Sequence, residues 1–131
     1  MIFVDTGAWF AMAVPSDQDH AAIAECFGRA TGPLITTDYV IDETLTLLRA
    51  RGYDQRALAL GAKFFDGSIA EIFYLSEDDI RGAWEVFRQY DDKEWSFTDC
   101  ASKVIMERLQ ITQAFSLDRH FRQFGNIVVM P

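Results

Sequence analysis

The chain has 131 residues, 50% hydrophobic and 14% aromatic, enough apolar material for one core and too little length for two ordinary domains. Twenty acids against twelve bases give a net charge of −8, which repels phosphate backbones at long range and excludes a broad, non-specific coat on nucleic acid. No apolar run reaches the roughly 18 residues of a membrane span, and "MIFVDTGAWF" lacks the basic start of a signal peptide, so one cytoplasmic domain over residues 1–131 is expected.

Ile2 to Val4 is a short apolar run ending at Asp5 and reads as a buried strand. Pro33-Leu34-Ile35 runs into Thr36-Thr37 as a second strand. Val40, Ile41, Thr44, Leu45, Leu47 and Leu48 then recur at helical spacing until Gly52 stops the pattern. Asp54 is expected to cap a further helix through about Phe65, closed by Asp66-Gly67, and "IAEIFYL" (69–75) follows as a third strand. Ser76-x-x-Asp79 opens a helix whose Ile80, Ala83, Trp84 and Phe87 share one face.

After a polar turn at Asp91 to Glu94, Ser96 begins a helix with Phe97, Cys100, Ala101, Val104 and Ile105 on one face, ending near Gln110. Ala114 to Leu117 is a fourth strand ending at Asp118. A short helix from about Arg119 to Phe124, a Gly125-Asn126 turn and a last strand, "IVVM", complete the chain. Apolar strands alternating with helices indicate an α/β fold with a parallel sheet covered on both faces.

In such a sheet, ligands gather outside the carboxyl ends of the strands. Asp5 and Asp118 fall there, Glu43 lies within the first two turns of the helix after strand two, and Asp99 sits in the first turn of the helix leading to strand four. Four carboxylates on one rim without a counter-charge either take raised pKa values or hold divalent cations. Carboxylate and water oxygens are the ligand set of Mg²⁺ or Mn²⁺, and one or two such ions can activate water and stabilise a phosphate under attack. The chemistry indicated is phosphodiester hydrolysis. Nine of the twelve bases are Arg, the better phosphate fork.

Four blocks carry a resemblance: "FVDTGAWFA", "TTDYVIDETLTLL", "DKEWSFTDC" and "FSLDRHFRQFG". The chain resembles the PIN-domain family, specifically the VapC-type toxins of toxin–antitoxin pairs, from Met1 to the C-terminus. The resemblance implies a three-layer α/β/α sandwich with a central parallel sheet of four to five strands, and a Mg²⁺- or Mn²⁺-dependent endoribonuclease. It implies acidic roles for Asp5, Glu43, Asp99 and Asp118, with Asp5 and Asp99 as principal direct ligands, and supporting hydroxyls at Thr6 and Ser96. It also implies a homodimer and a small antitoxin whose C-terminal segment occupies the cleft. Gly7 departs from it, since many relatives carry Ser there and one supporting hydrogen bond is expected to be missing.

Plainer readings stand beside these. Asp5 and Asp118 can cap the helices that follow them, Glu43 alone is an ordinary helix acid, and Asp38, Asp42, Asp91 and Asp92 read as turn or solvated residues. Trp9, Trp84 and Trp95 read as core or interface aromatics. Neither His20 nor His120 has metal-ligand spacing, and His120 is given at most a substrate contact at the rim. "VDTGA" is also an aspartic-protease signature, requiring a mostly β dimer that the helical periodicity opposes. A receiver-type signalling domain lacks its acceptor Asp after strand three and its late Lys here. A PIN-like binding module without catalysis is the third alternative.

Overall fold

The computed structural model describes all residues, Met1–Pro131. Five strands, β1 (Ile2–Val4), β2 (Leu34–Thr37), β3 (Glu71–Phe73), β4 (Gln113–Phe115) and β5 (Val128–Met130), form one sheet in the order β3-β2-β1-β4-β5. Every pairing is parallel, with Phe3 opposite both Ile35 and Ala114. Helices α1 (Thr6–Ala13), α2 (His20–Arg29), α3 (Asp38–Ala50) and α4 (Asp54–Phe65) carry the chain from β1 through β2 to β3. Helices α5 (Glu77–Gln89) and α6 (Phe97–Arg108) return it to β4, and a 3-10 helix, Arg119–Gln123, joins β4 to β5. Right-handed crossovers put the first four helices on one face and the rest on the other, the expected α/β/α layering.

β1 is buried throughout, and Phe3, Val4, Trp9, Ile35, Phe64, Phe115 and Phe121 are sealed from solvent in the main core. Each such aliphatic or phenyl side chain contributes roughly 1.5–3 kcal/mol of transfer free energy. Trp9 of α1 meets Phe64 of α4 edge-on at 4.9 Å and Phe27 of α2 at 5.4 Å, so one indole ties three helices to the sheet. A second, smaller cluster of Ala83, Trp95, Cys100 and Ala101 joins α5 to α6.

Local sequence explains most boundaries. Thr37 caps α3 by accepting the Val40 N–H at 3.2 Å, and Gly52 follows that helix at φ +83°, a backbone that favours glycine. The expected Asp54 cap is not formed. Tyr53 occupies the N-cap, and Asp54 lies in the first turn facing Arg49 at 3.5 Å. Strand three is only Glu71–Phe73, because it is a sheet edge and Tyr74 beyond it turns into solvent. On α5 the expected apolar face buries only Ala83 fully, leaving Trp84 and Phe87 exposed. Asp38 is no mere solvated acid, for it accepts the Leu75 N–H at 3.0 Å and ties α3 to the loop after β3.

Candidate active site

β1 lies between β2 and β4, and the chain leaves it first towards one edge of the sheet and later towards the other. The crevice outside β1 and β4 is therefore the switch point where α/β sheets bind ligands. Asp5 follows β1 directly, and its N–H donates to the Phe115 carbonyl at 3.0 Å. It occupies the N-cap position of α1 without making a side-chain cap. Its carboxylate is buried and accepts the Ser116 hydroxyl at 3.1 Å. The same Ser116 oxygen accepts the Asp118 N–H at 3.0 Å, so one buried hydroxyl fixes the first acid against the segment bearing the fourth.

Asp99 approaches from α6. Ser96 accepts the Asp99 N–H at 3.0 Å, and Asp99 Oδ2 accepts the Ser96 N–H at 3.0 Å, a complete capping box. The shorter Asp thus makes the reciprocal bond that Glu or Gln usually supplies, and its carboxylate still borders the crevice. His120 Nδ1 lies 3.3 Å from Asp99 Oδ2 and 3.2 Å from Asp118 Oδ1. Asp118 also caps the 3-10 helix, accepting the His120 N–H at 2.9 Å. Trp95 braces the arrangement. Its indole N–H donates to Gln123 Oε1 at 2.7 Å and its ring meets Phe124 edge-on at 5.1 Å, which clamps the start of α6 to the 3-10 helix.

Electrostatically the crevice is one-sided. Burial, reinforced by the Asp99 and Asp118 carboxylates, pushes the Asp5 carboxyl up to about 7, against the lowering effect of the Thr6 N–H and the Ser116 hydroxyl. Asp99 is raised as well, by burial first and then by Asp118, while the Ser96 N–H and His120 pull the other way. No Lys or Arg pairs with these acids: the nearby Arg119 meets Glu94 and Arg108 meets Asp79. Thr6 Oγ1, beside Asp5, is buried without a hydrogen-bond partner. Clustered acids and an orphaned hydroxyl, without a Lys or Arg partner, form an oxygen-rich donor set that fits a divalent ion.

The structure brings Asp5, Asp99 and Asp118 together. Glu43, half-buried in the second turn of α3, makes no hydrogen bond to them and is not among the charges that raise Asp5 or Asp99. Thr6 and Ser96 stand beside the first and third acids. At Gly7 a Cβ would meet Leu117 Cβ at 3.8 Å, an ordinary contact, so sterics do not demand the glycine. Ser116 and the inward position of His120 escaped the sequence reading. Their only signal is that both lie two residues from Asp118, a spacing that no general rule marks.

The family profile of the PIN domain matches residues 2–127. The 23S rRNA-specific endonuclease VapC20 of Mycobacterium tuberculosis is 30% identical over 131 residues, covering 100% of this chain and 99% of its own. A VapC ribonuclease of Archaeoglobus fulgidus is 30% identical over 123 residues, 90% of this chain and 77% of its own. The crystal structure of the M. tuberculosis VapC20, a toxin that cleaves the sarcin-ricin loop, superposes with a TM-score of 0.93 at 28% identity over both full chains. FitAcB of Neisseria gonorrhoeae shares the fold at a TM-score of 0.70 and 13% identity, over 100% of this chain and 97% of that one. The parallel, helix-rich sheet is not the mostly β scaffold of an aspartic protease. With the whole length matched in sequence and in shape, the chain belongs to the PIN domain family, among its VapC-type toxin ribonucleases.

Proposed function

We propose that Asp5, Glu43, Asp99 and Asp118 form a Mg²⁺ or Mn²⁺ site at which this protein hydrolyses RNA. The observation that carries the reading is the group of acids at the switch point, of which Asp5 and Asp99 are buried with raised pKa and none has a Lys or Arg partner. A bound divalent cation would supply Lewis-acid polarisation of the phosphate and a more acidic water. The chain's own groups do the positioning. Ser116 holds Asp5 against the Asp118 segment, the Ser96 box aims Asp99, and Thr6 Oγ1 is free to support the assembled donor set. Glu43 serves from the α3 side, through water.

The substrate we assign is ribosomal RNA of the sarcin-ricin type, supported by the full-length likeness to VapC20. A small antitoxin covering the cleft, a cytoplasmic site of action and a homodimer belong to the same reading. No helix is long and apolar enough to cross a membrane. Trp84 and Phe87, stacked at 6.2 Å and exposed on α5, supply an apolar face for a second copy.

The decisive experiment sequences RNA ends after induced expression of the wild-type and Asp5→Asn proteins. New ends confined to the large-subunit rRNA, present with wild type and absent with the variant, are expected. Equal cleavage by both overturns the site, and ends scattered over messenger RNA overturn the substrate. Sedimentation of the same two proteins at micromolar concentration reads the oligomer, and a monomer there removes the dimer.

A further inference from the structure

We propose that His120 is a nitrogen donor to the divalent ion held by Asp99 and Asp118, so that the site selects Mn²⁺ and other transition ions over Mg²⁺. The inference rests on the metal-site reading above and adds a ligand to it. Nothing in the spacing of the histidines points to it, since His120 becomes a candidate only through the fold.

The geometry carries the assignment. One carboxylate oxygen each from Asp99 and Asp118, with a ring nitrogen of His120, lie within 4.8 Å of one another. Two donors about 2.1–2.2 Å from one ion and at right angles stand about 3.0 Å apart. His120 Nδ1 is 3.2 Å from Asp118 Oδ1 and 3.3 Å from Asp99 Oδ2, so each carboxylate stands beside the ring nitrogen at close to the spacing of neighbouring ligands on one ion.

The ring is held for this role. The His120 N–H is anchored on Asp118, and the neighbouring Phe121 is fully buried against Phe3. The imidazole is mostly covered, at 18% side-chain exposure. His20 is different, for its Nδ1–H donates to the Ala11 carbonyl at 2.7 Å, far along the chain from the acids. An imidazole suits first-row transition ions, whereas Mg²⁺ keeps to oxygen and sheds its water reluctantly. An acidic crevice made only of carboxylates would not discriminate in this way.

The test uses the whole protein loaded with Mn²⁺ and reads electron spin echo modulation, which detects a directly bound nitrogen without any RNA. Wild-type protein is expected to show nitrogen modulation that changes on ¹⁵N-histidine labelling and persists in His20→Gln. In His120→Gln the modulation should vanish and Mn²⁺ affinity fall about tenfold, while Mg²⁺ affinity changes less than about twofold. Bound Mn²⁺ without nitrogen modulation in wild type overturns the His120 assignment and leaves the carboxylate site standing. No Mn²⁺ binding at all overturns both. Because the spin-echo result on wild type stands alone, a variant that fails to fold does not remove the test.

Discussion

Helices α5 and α6 begin with the same device and put it to opposite ends. Ser76-x-x-Asp79 and Ser96-x-x-Asp99 each form a full capping box, with bonds of 3.0–3.1 Å in both directions and a buried carboxylate. What differs is the company. Asp79 faces Arg108, which holds it by two bonds of 2.9 and 3.0 Å and so locks α5 to α6. Burial opposes ionisation there, yet the Ser76 N–H and Arg108 together keep Asp79 below the usual carboxylate range. Asp99 faces Asp118 and lies near Asp5, and burial pushes it above that range. One box ends in a satisfied charge and the other in an unsatisfied one, so the local motif sets geometry while the neighbours decide chemistry.

The largest contrast should come from the same substitution at both positions. Asp99→Asn is expected to lower RNA cleavage about a thousandfold while leaving stability equal or higher by about 1 kcal/mol, since it removes a charge held above its ordinary pKa. Asp79→Asn should leave cleavage by folded protein intact and cost roughly 2 kcal/mol in urea unfolding, less than a fully buried pair because Arg108 is half exposed. Reversal of either pattern would erase the distinction.

A smaller effect separates the boxes by pH. Raised acids bind protons more tightly folded than unfolded, so the stability tied to Asp5 and Asp99 is complete below their ordinary value of 3.8 and is lost as pH rises, to about 7 for Asp5. Asp79 has the opposite sign, its contribution being present above 3.8 and lost as pH falls through its lowered pKa. In chelator, wild-type stability should therefore carry a declining component between about pH 4 and pH 7 that disappears in the Asp5→Asn/Asp99→Asn protein. A wild-type profile identical to the double variant would mean that the acids are not strained. Smallest of all, Ser76→Ala and Ser96→Ala should each cost about 1 kcal/mol of stability, with cleavage reduced only by Ser96→Ala in a steady-state assay.

The alternation of strand and helix was legible because the strands are continuous apolar runs and α3 to α6 are amphipathic or box-capped. Helix α2 has no sequence expectation, and α1 enters only as the helix that Asp5 could cap. In α1, Thr6, Ala8, Trp9, Phe10 and Ala11 are all buried, leaving no polar face to give a period, and α2 buries only Ile23 fully. Asp5, Asp99 and Asp118 were legible as acids at strand ends or helix starts. Glu43 lacks that local signature, since the direction of an acid in the second turn of a helix depends on that helix's tilt, which periodicity does not supply. Ser116 and His120 act across sequence gaps, from residue 116 to residue 5 and from residue 120 to residue 99, and no local pattern encodes such a meeting.

The Ser116–Asp5 bond also has a consequence in time. It joins the first strand's end to a residue 111 positions later, and β4, the second neighbour of β1, is itself made late. A chain growing from its N-terminus cannot close the sheet around β1 or bring Asp118 to Asp5 until β4 and the residues that follow it have been made. Contacts of such long sequence separation form late in folding as well. The cluster of Asp5, Asp99 and Asp118 is therefore absent from every nascent chain that still lacks β4.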